Sequence, residues 1–183
     1  AFAKVVQDYV AFKLSSTAKV ESPDLEPDKA GWKPFQIGQL FDLKKGKRLT
    51  KAHMTEGETP FIGAIDSNNG VAGYVGQKSI HEGGTITVNY NGAGVADAFY
   101  QPVPFWASDD VNVLYPRFKM TPAIALFIAT IIRKEKYRFS YGRKWHLERM
   151  TTSVIHLPVS SDGKPDWSFM ETYIASLPYG GQV

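Results

Sequence analysis

The chain contains no cysteine. That excludes a disulfide framework, a thiolate metal site and a cysteine nucleophile. Long apolar runs are missing too. The longest, Ala123 to Ile132, is about half of the roughly 20 residues that span a bilayer. No opening segment carries the basic-then-apolar pattern of a signal peptide. These absences lead us to expect a soluble, cytoplasmic protein. Charge of one sign barely dominates, with 21 Lys and Arg against 18 Asp and Glu for a net of +3. At 43% hydrophobic and 21% charged residues, the composition is globular and excludes a disordered tail, a collagen-like rod and a coiled coil. Its 183 residues fit one domain, or one domain with a short appendage.

Most enzyme signatures are missing as well. Gly46-Lys47-Arg48 resembles the end of a phosphate-binding loop, but Phe41 stands where the first glycine belongs and Arg48 where Ser or Thr belongs. Gly92-x-Gly94 is followed by Asp97 instead of a third glycine. His53, His81, His146 and His156 lack metal-ligand spacing. There is no Gly-x-Ser-x-Gly elbow. Pro23-Asp24 with Glu26 and Lys29 faintly resembles a nuclease metal site, yet it lies in a turn-rich stretch. Ser108-Asp109-Asp110 reads more naturally as a turn or strand entry than as a metal pair. The sequence gives no ground for catalysis or for a cofactor in this chain.

What is present is an uneven charge map. Residues 31–60 carry six Lys and Arg against three Asp and Glu, and residues 121–150 carry seven against two. The remaining stretches are mildly acidic. Two basic blocks on such a background are either solvated faces or the footprint of an anion such as a phosphate backbone.

Apolar positions at helical spacing (Phe2, Val5, Val6, Tyr9, Val10, Phe12) predict an amphipathic helix near the start. The proline- and charge-rich stretch Ser22–Gly31 reads as a linker. Short strands follow. Gln36–Leu43 reads as one or two of them. Phe61–Ile65 and Val71–Val75 flank Asn68-Asn69-Gly70, a hairpin signal. Thr85–Tyr90 alternates, with Ile86, Val88 and Tyr90 on one face and Thr85, Thr87 and Asn89 on the other. A second turn at Asn91-Gly92 leads into Val95–Tyr100, and Val111–Tyr115 is a further strand. Thr121-Pro122 opens a helix whose apolar run makes it the buried spine, leaving through Arg133-Lys134-Glu135-Lys136. Val154–Val159 is a closing strand, and Asp166 caps a last helix, Trp167–Leu177. The expected class is α+β, a mostly antiparallel twisted sheet of short strands with one buried helix, plus N- and C-terminal helical connector segments. The expected division is residues 1–31 helix and linker, 32–160 the main domain, and 161–183 the start of a C-terminal helix.

Within this frame, Leu43-Lys44-Lys45-Gly46-Lys47-Arg48-Leu49-Thr50 puts four cations and a glycine in one loop. Arg138-Phe139-Ser140-Tyr141-Gly142-Arg143-Lys144-Trp145 does the same after the buried helix. Arg and Lys take phosphates, and Arg, Asn and Gln read base edges. Asparagine at a turn is common for backbone reasons alone. Two basic loops together with two amide-bearing hairpins point toward nucleic acid.

The segments IGQLFDLKKGKRLTKAHM, PFIGAIDSNNGVAGYV, TITVNYNGAG, FWASDDVNVLYP and LFIATIIRKEKYRFSYGRKWHLERM, in this order, resemble the target recognition domain of restriction–modification specificity proteins. That family includes the type I specificity subunit and related recognition domains of type II enzymes. LPVSSDGKPDWSFMETYIASLPY resembles the passage of such a domain into its spacer helix. The resemblance covers Trp32 to Tyr179 and implies a non-catalytic module that docks on double-stranded DNA and reads one part of a split site. Methylation and cleavage would belong to methyltransferase and restriction subunits or fused domains, which use S-adenosylmethionine and Mg²⁺. The DNA-binding candidates it implies are Lys44, Lys45, Lys47, Arg48 and Lys51 in the first loop. Ser67, Asn68 and Asn69 in the first hairpin turn join them, as do Asn89 and Asn91 in the second. Arg138, Tyr141, Arg143 and Lys144 complete the set. A full type I subunit carries two such domains joined by long antiparallel helices. One domain here implies either a half-subunit that pairs with a second copy through its terminal helices or the recognition end of a larger polypeptide. The competing readings are a metal-dependent hydrolase or nuclease using Asp66, Asp97, Asp109 or Asp110, and a carbohydrate-binding β domain.

Overall fold

The computed structural model describes residues 31–92, 94–140, 142–177 and 180. The helix expected near the start and most of the linker lie outside them, as does Tyr141. Nine strands and four helices follow in chain order: β1 (Trp32–Gln36), α1 (Ile37–Leu40), β2 (Phe41–Lys45), β3 (Thr59–Ile62), β4 (Val71–Val75), β5 (Thr85–Asn89), β6 (Ala98–Gln101), β7 (Trp106–Ala107), β8 (Val111–Pro116), α2 (Pro122–Lys134), α3 (Leu147–Thr152), β9 (Val154–Pro158) and α4 (Trp167–Ser176). The class is α+β, but the strands form three small sheets where one twisted sheet was expected. β2-β8-β5-β6 is antiparallel throughout, β4-β3-β7 contains a parallel β3–β7 pair, and β1 pairs with β9 alone. Among the described residues, no helix is long and apolar enough to cross a membrane.

The first strand region corrects the sequence reading most. Gln36–Leu43 is broken by the helical turn α1, where Gln36 and Gln39 cap each other's backbone reciprocally. Ile37 and Leu40 of that turn enter the core. β5 corrects it in another way. Its alternation predicts one dry and one wet face, yet all five residues are buried. The threonines are satisfied internally, Thr87 Oγ1 donating to the Phe99 carbonyl and Thr85 Oγ1 to that of Glu82. A central strand covered on both sides needs such partners, because an unpaired buried hydroxyl costs about 1–3 kcal/mol.

α2 begins where its sequence says. The Thr121 hydroxyl accepts from the Ile124 amide, and Pro122 occupies the first turn. It buries Ile124, Ala125, Phe127, Ile128, Ala129 and Ile132 but leaves Leu126 and Thr130 exposed. The helix is therefore a one-sided spine and not an enclosed one. α4 packs beside it through Phe127 against Tyr173, ring centroids 5.9 Å apart edge to face. The main core gathers α1, α2, β5, β8, β9, Trp145 and Met150, while a smaller cluster of Ile62, Phe105, Ala107, Val111 and Val113 sits under the β3 sheet.

Candidate nucleic-acid interface

Antiparallel pairing decides which loops meet. Lys45 at the end of β2 lies opposite Asn112, and Asn89 at the end of β5 lies opposite Val111, where β8 starts. Residues 46–51, 90–97 and 108–110 therefore leave the four-stranded sheet at one end. The first basic loop is held there by its backbone. Gly46 N–H donates to the Val111 carbonyl (2.9 Å), Lys47 N–H donates to that of Ala107 (2.8 Å), and the Trp106 indole donates to the Lys47 carbonyl (2.9 Å). Gly46 is required at this approach, since a Cβ there would lie 2.0 Å from the Ser108 carbonyl oxygen.

Tyr90 joins the second basic segment to the first. Its amide donates to the Asp110 carbonyl, and its carbonyl accepts from the Trp145 amide, both at 3.1 Å. Its ring lies 5.6 Å from that of His146, and Lys45 Nζ stands 5.5 Å above its centroid. Trp145 is fully buried, stacked on Phe139 at 4.4 Å, and its indole donates to Ser153 Oγ. That anchor fixes the tight turn at 140–143, bridged by mutual Ser140–Arg143 hydrogen bonds, and leaves Arg143 exposed. Lys136 Nζ lies 3.1 Å from Asp97 Oδ2, tying the turn after α2 to the same end.

The candidate side chains sort as follows. Lys44, Lys45, Lys47, Arg48 and Lys51 are exposed, as are Arg138 and Arg143, while Lys144 is half-buried. Lys44 sits 4.2 Å above the Tyr115 ring. Arg48 pairs loosely with Asp109 at 3.6 Å, and Arg138 pairs tightly with Glu135 at 2.6 Å, which holds its guanidinium charged. Lys51 stands farther out on a one-turn helix tied down by a hydrogen bond from Gln77 to the His53 carbonyl. Ser67, Asn68 and Asn69 are exposed on the first turn. There Asn68 and Asn69 adopt left-handed backbone with φ of 48° and 52°. The turn is anchored by Asn69 Nδ2 donating to the Tyr100 carbonyl and Gln101 Nε2 donating to that of Asn69.

Two asparagines of the second turn depart from expectation. Asn89 is 1% exposed, and its amide donates to the Ile65 carbonyl, so it braces two loops instead of facing outward. Asn91 is half-buried and donates to Asp110 Oδ1. Tyr90, Tyr115 and His146 belong to the assembled end but carried no sequence signal, because only the fold brings them beneath the cations. Of the carboxylates in the hydrolase reading, Asp97 faces Lys136, Asp109 faces Arg48 and Asp110 accepts from Asn91. Among the described residues, no group of three or more His, Cys, Asp or Glu could hold a metal ion.

Beneath Lys44 lies one titratable device. His81 is 5% exposed, stacks on Phe105, and meets the Tyr115 hydroxyl through Nδ1 at 2.9 Å. Burial, and next the Lys44 cation, push its pKa below the ordinary 6.5. The unfolded chain therefore binds this proton more readily than the folded one. The stability His81 confers is complete above pH 6.5 and is lost as pH falls below that value. Urea melts of the wild type should weaken from pH 7 to pH 5, and His81→Gln should flatten the curve over that window. Parallel curves would show that other groups set the dependence.

Residues 29–178 match the model of the type I restriction modification DNA specificity domain. The chain belongs to this family. The specificity subunit S.BcgI of the type II restriction enzyme BgcI, from Heyndrickxia coagulans, is 40% identical over 151 residues, covering 80% of this chain and 43% of that subunit. Two solved specificity subunits share the fold. The type I S subunit of M. genitalium aligns with a TM-score of 0.59 at 20% identity, covering 81% of this chain and 38% of that one. The HsdS subunit of Thermoanaerobacter tengcongensis aligns with a TM-score of 0.57 at 15% identity, covering 98% and 44%. The specificity-domain chain thus spans less than half the length of these relatives.

Proposed function

We propose that this chain is a sequence-specific double-stranded DNA recognition module of a restriction–modification system, directing a methyltransferase and endonuclease to a half-site. The observation that carries this reading is the meeting of two basic segments, 100 residues apart in sequence, at one end of the central sheet through Tyr90. The cations there stand on hydrogen-bonded backbone, which suits phosphate contacts, and the Ser67–Asn69 turn adds short polar side chains able to reach base edges. Family membership supports the same reading. The module itself is non-catalytic. S-adenosylmethionine and Mg²⁺ chemistry belong to partner methyltransferase and restriction subunits or domains, and a second copy joined through terminal helices would supply the other half-site. Neither a hydrolase nor a sugar-binding reading gains a supporting observation.

Selection from a pool of randomised duplex DNA at 50 and 200 mM salt tests this. We expect a short motif to be enriched at the higher salt, with affinity for bulk DNA falling roughly 10³-fold between the two if about six phosphates are engaged. Enrichment of nothing at either concentration would overturn sequence-specific recognition by this chain.

A further inference from the structure

Tyr137 is 84% exposed, more than any other large hydrophobic side chain among the described residues. It stands on the short 3-10 turn Glu135–Arg138 that follows α2. The backbone around it is pinned. On one side Lys136 Nζ reaches Asp97 at 3.1 Å, on the other Arg138 reaches Glu135 at 2.6 Å, and those two carboxylates are only 13% and 15% exposed. Immediately beyond, Phe139 stacks on the buried Trp145. The aromatic ring is thus presented to solvent by a turn whose neighbouring side chains are all engaged.

From this we infer that Tyr137 is a base contact, its ring laid against base edges or a thymine methyl in the specific complex. The inference rests on the DNA-recognition reading and adds a residue to it. Nucleic acid suits this ring better than a protein partner. Arg133, Lys134, Lys136 and Arg138 crowd around it in sequence, and protein–protein interfaces are depleted in lysine. Lys136 ties the turn to the 90–97 loop, which already joins both basic segments. An aromatic face held on a rigid turn loses little conformational freedom when covered, and one good base contact is worth about tenfold or more in affinity.

The test compares the enriched duplex with a mixed-sequence duplex of equal length. Tyr137→Ala should bind the enriched duplex about tenfold more weakly while its affinity for the mixed duplex stays within about twofold. Its salt slope and melting temperature should match the wild type, since no cation and no buried group is removed. Tyr137→Phe should bind both duplexes as the wild type does, because the ring makes the contact. Wild-type affinity of Tyr137→Ala for the enriched duplex, or an equal loss on both duplexes, would overturn the base contact. In either case the DNA-recognition reading would stand. A wild-type chain that enriches no motif overturns both together.

Discussion

Replacing Lys45, Lys47 and Arg48 together by alanine should flatten the salt dependence of duplex binding without unfolding the domain. If each cation meets one phosphate, the slope of log affinity against log salt falls by about 2.7, so the affinity ratio to wild type shrinks roughly fortyfold between 50 and 200 mM salt. The fold tolerates the change because this loop is held by backbone groups: Gly46 N–H, Lys47 N–H and the Lys47 carbonyl are the bonded atoms. The only ion pair lost among these contacts is Arg48–Asp109, an exposed 3.6 Å contact of the kind worth about 0–1 kcal/mol. Titrations at several salt concentrations, with a thermal melt of each variant, check both halves. An unchanged slope would remove the first basic loop from the DNA interface. A drop in melting temperature comparable to that of a core variant would mean that these side chains hold the fold.

Gly46→Val should do the opposite and damage the scaffold while leaving every cation in place. A Cβ at position 46 would lie 2.0 Å from the Ser108 carbonyl and 2.6 Å from that of Ala107, and backbone cannot swing aside as a flexible side chain can. Relief requires the 46–47 segment to lift, breaking its two amide bonds and the indole bond from Trp106. Loss of two or three buried hydrogen bonds plus steric strain should cost about 2–4 kcal/mol. In a domain of this size that lowers the melting temperature by roughly 5–15 °C. DNA affinity should fall as well, since Lys45, Lys47 and Arg48 would then stand on a displaced chain. A variant with wild-type stability and affinity would refute the close packing of this loop on the β7–β8 turn.

The contrast between these variants reflects how much of the site was legible beforehand. Local signals were read correctly where they compete with nothing. Thr121-Pro122 opens α2, Asp166 caps α4, and Asn68-Asn69-Gly70 turns the β3–β4 hairpin. Signals failed where a longer-range partner overrode them. The polar face of β5 is buried because Gln101 and nearby carbonyls take up its hydroxyls. Asn89 looked outward by alternation and turn position, yet it serves as a brace to Ile65. α1 and α3, four and six residues long, are too short to show a helical period. The cations themselves were visible, but their assembly was not. That depends on bonds such as Lys47 to Ala107 and Trp145 to Tyr90, which span about sixty and fifty-five residues of chain.

The left-handed pair in the first hairpin turn has a consequence for how such a module can change its target. Asn68 and Asn69 occupy backbone that only glycine, asparagine and aspartate adopt readily, and Gly70 follows with φ of 77° against Phe99 and Ile62. Most substitutions at these positions would strain the turn before they touched a base. Diversification is therefore channelled to Ser67 and to the exposed side chains of the 44–48 loop, whose backbone geometry accepts any residue apart from the fixed glycine. The fold divides its loops into a part that evolution can rewrite freely and a part it must keep.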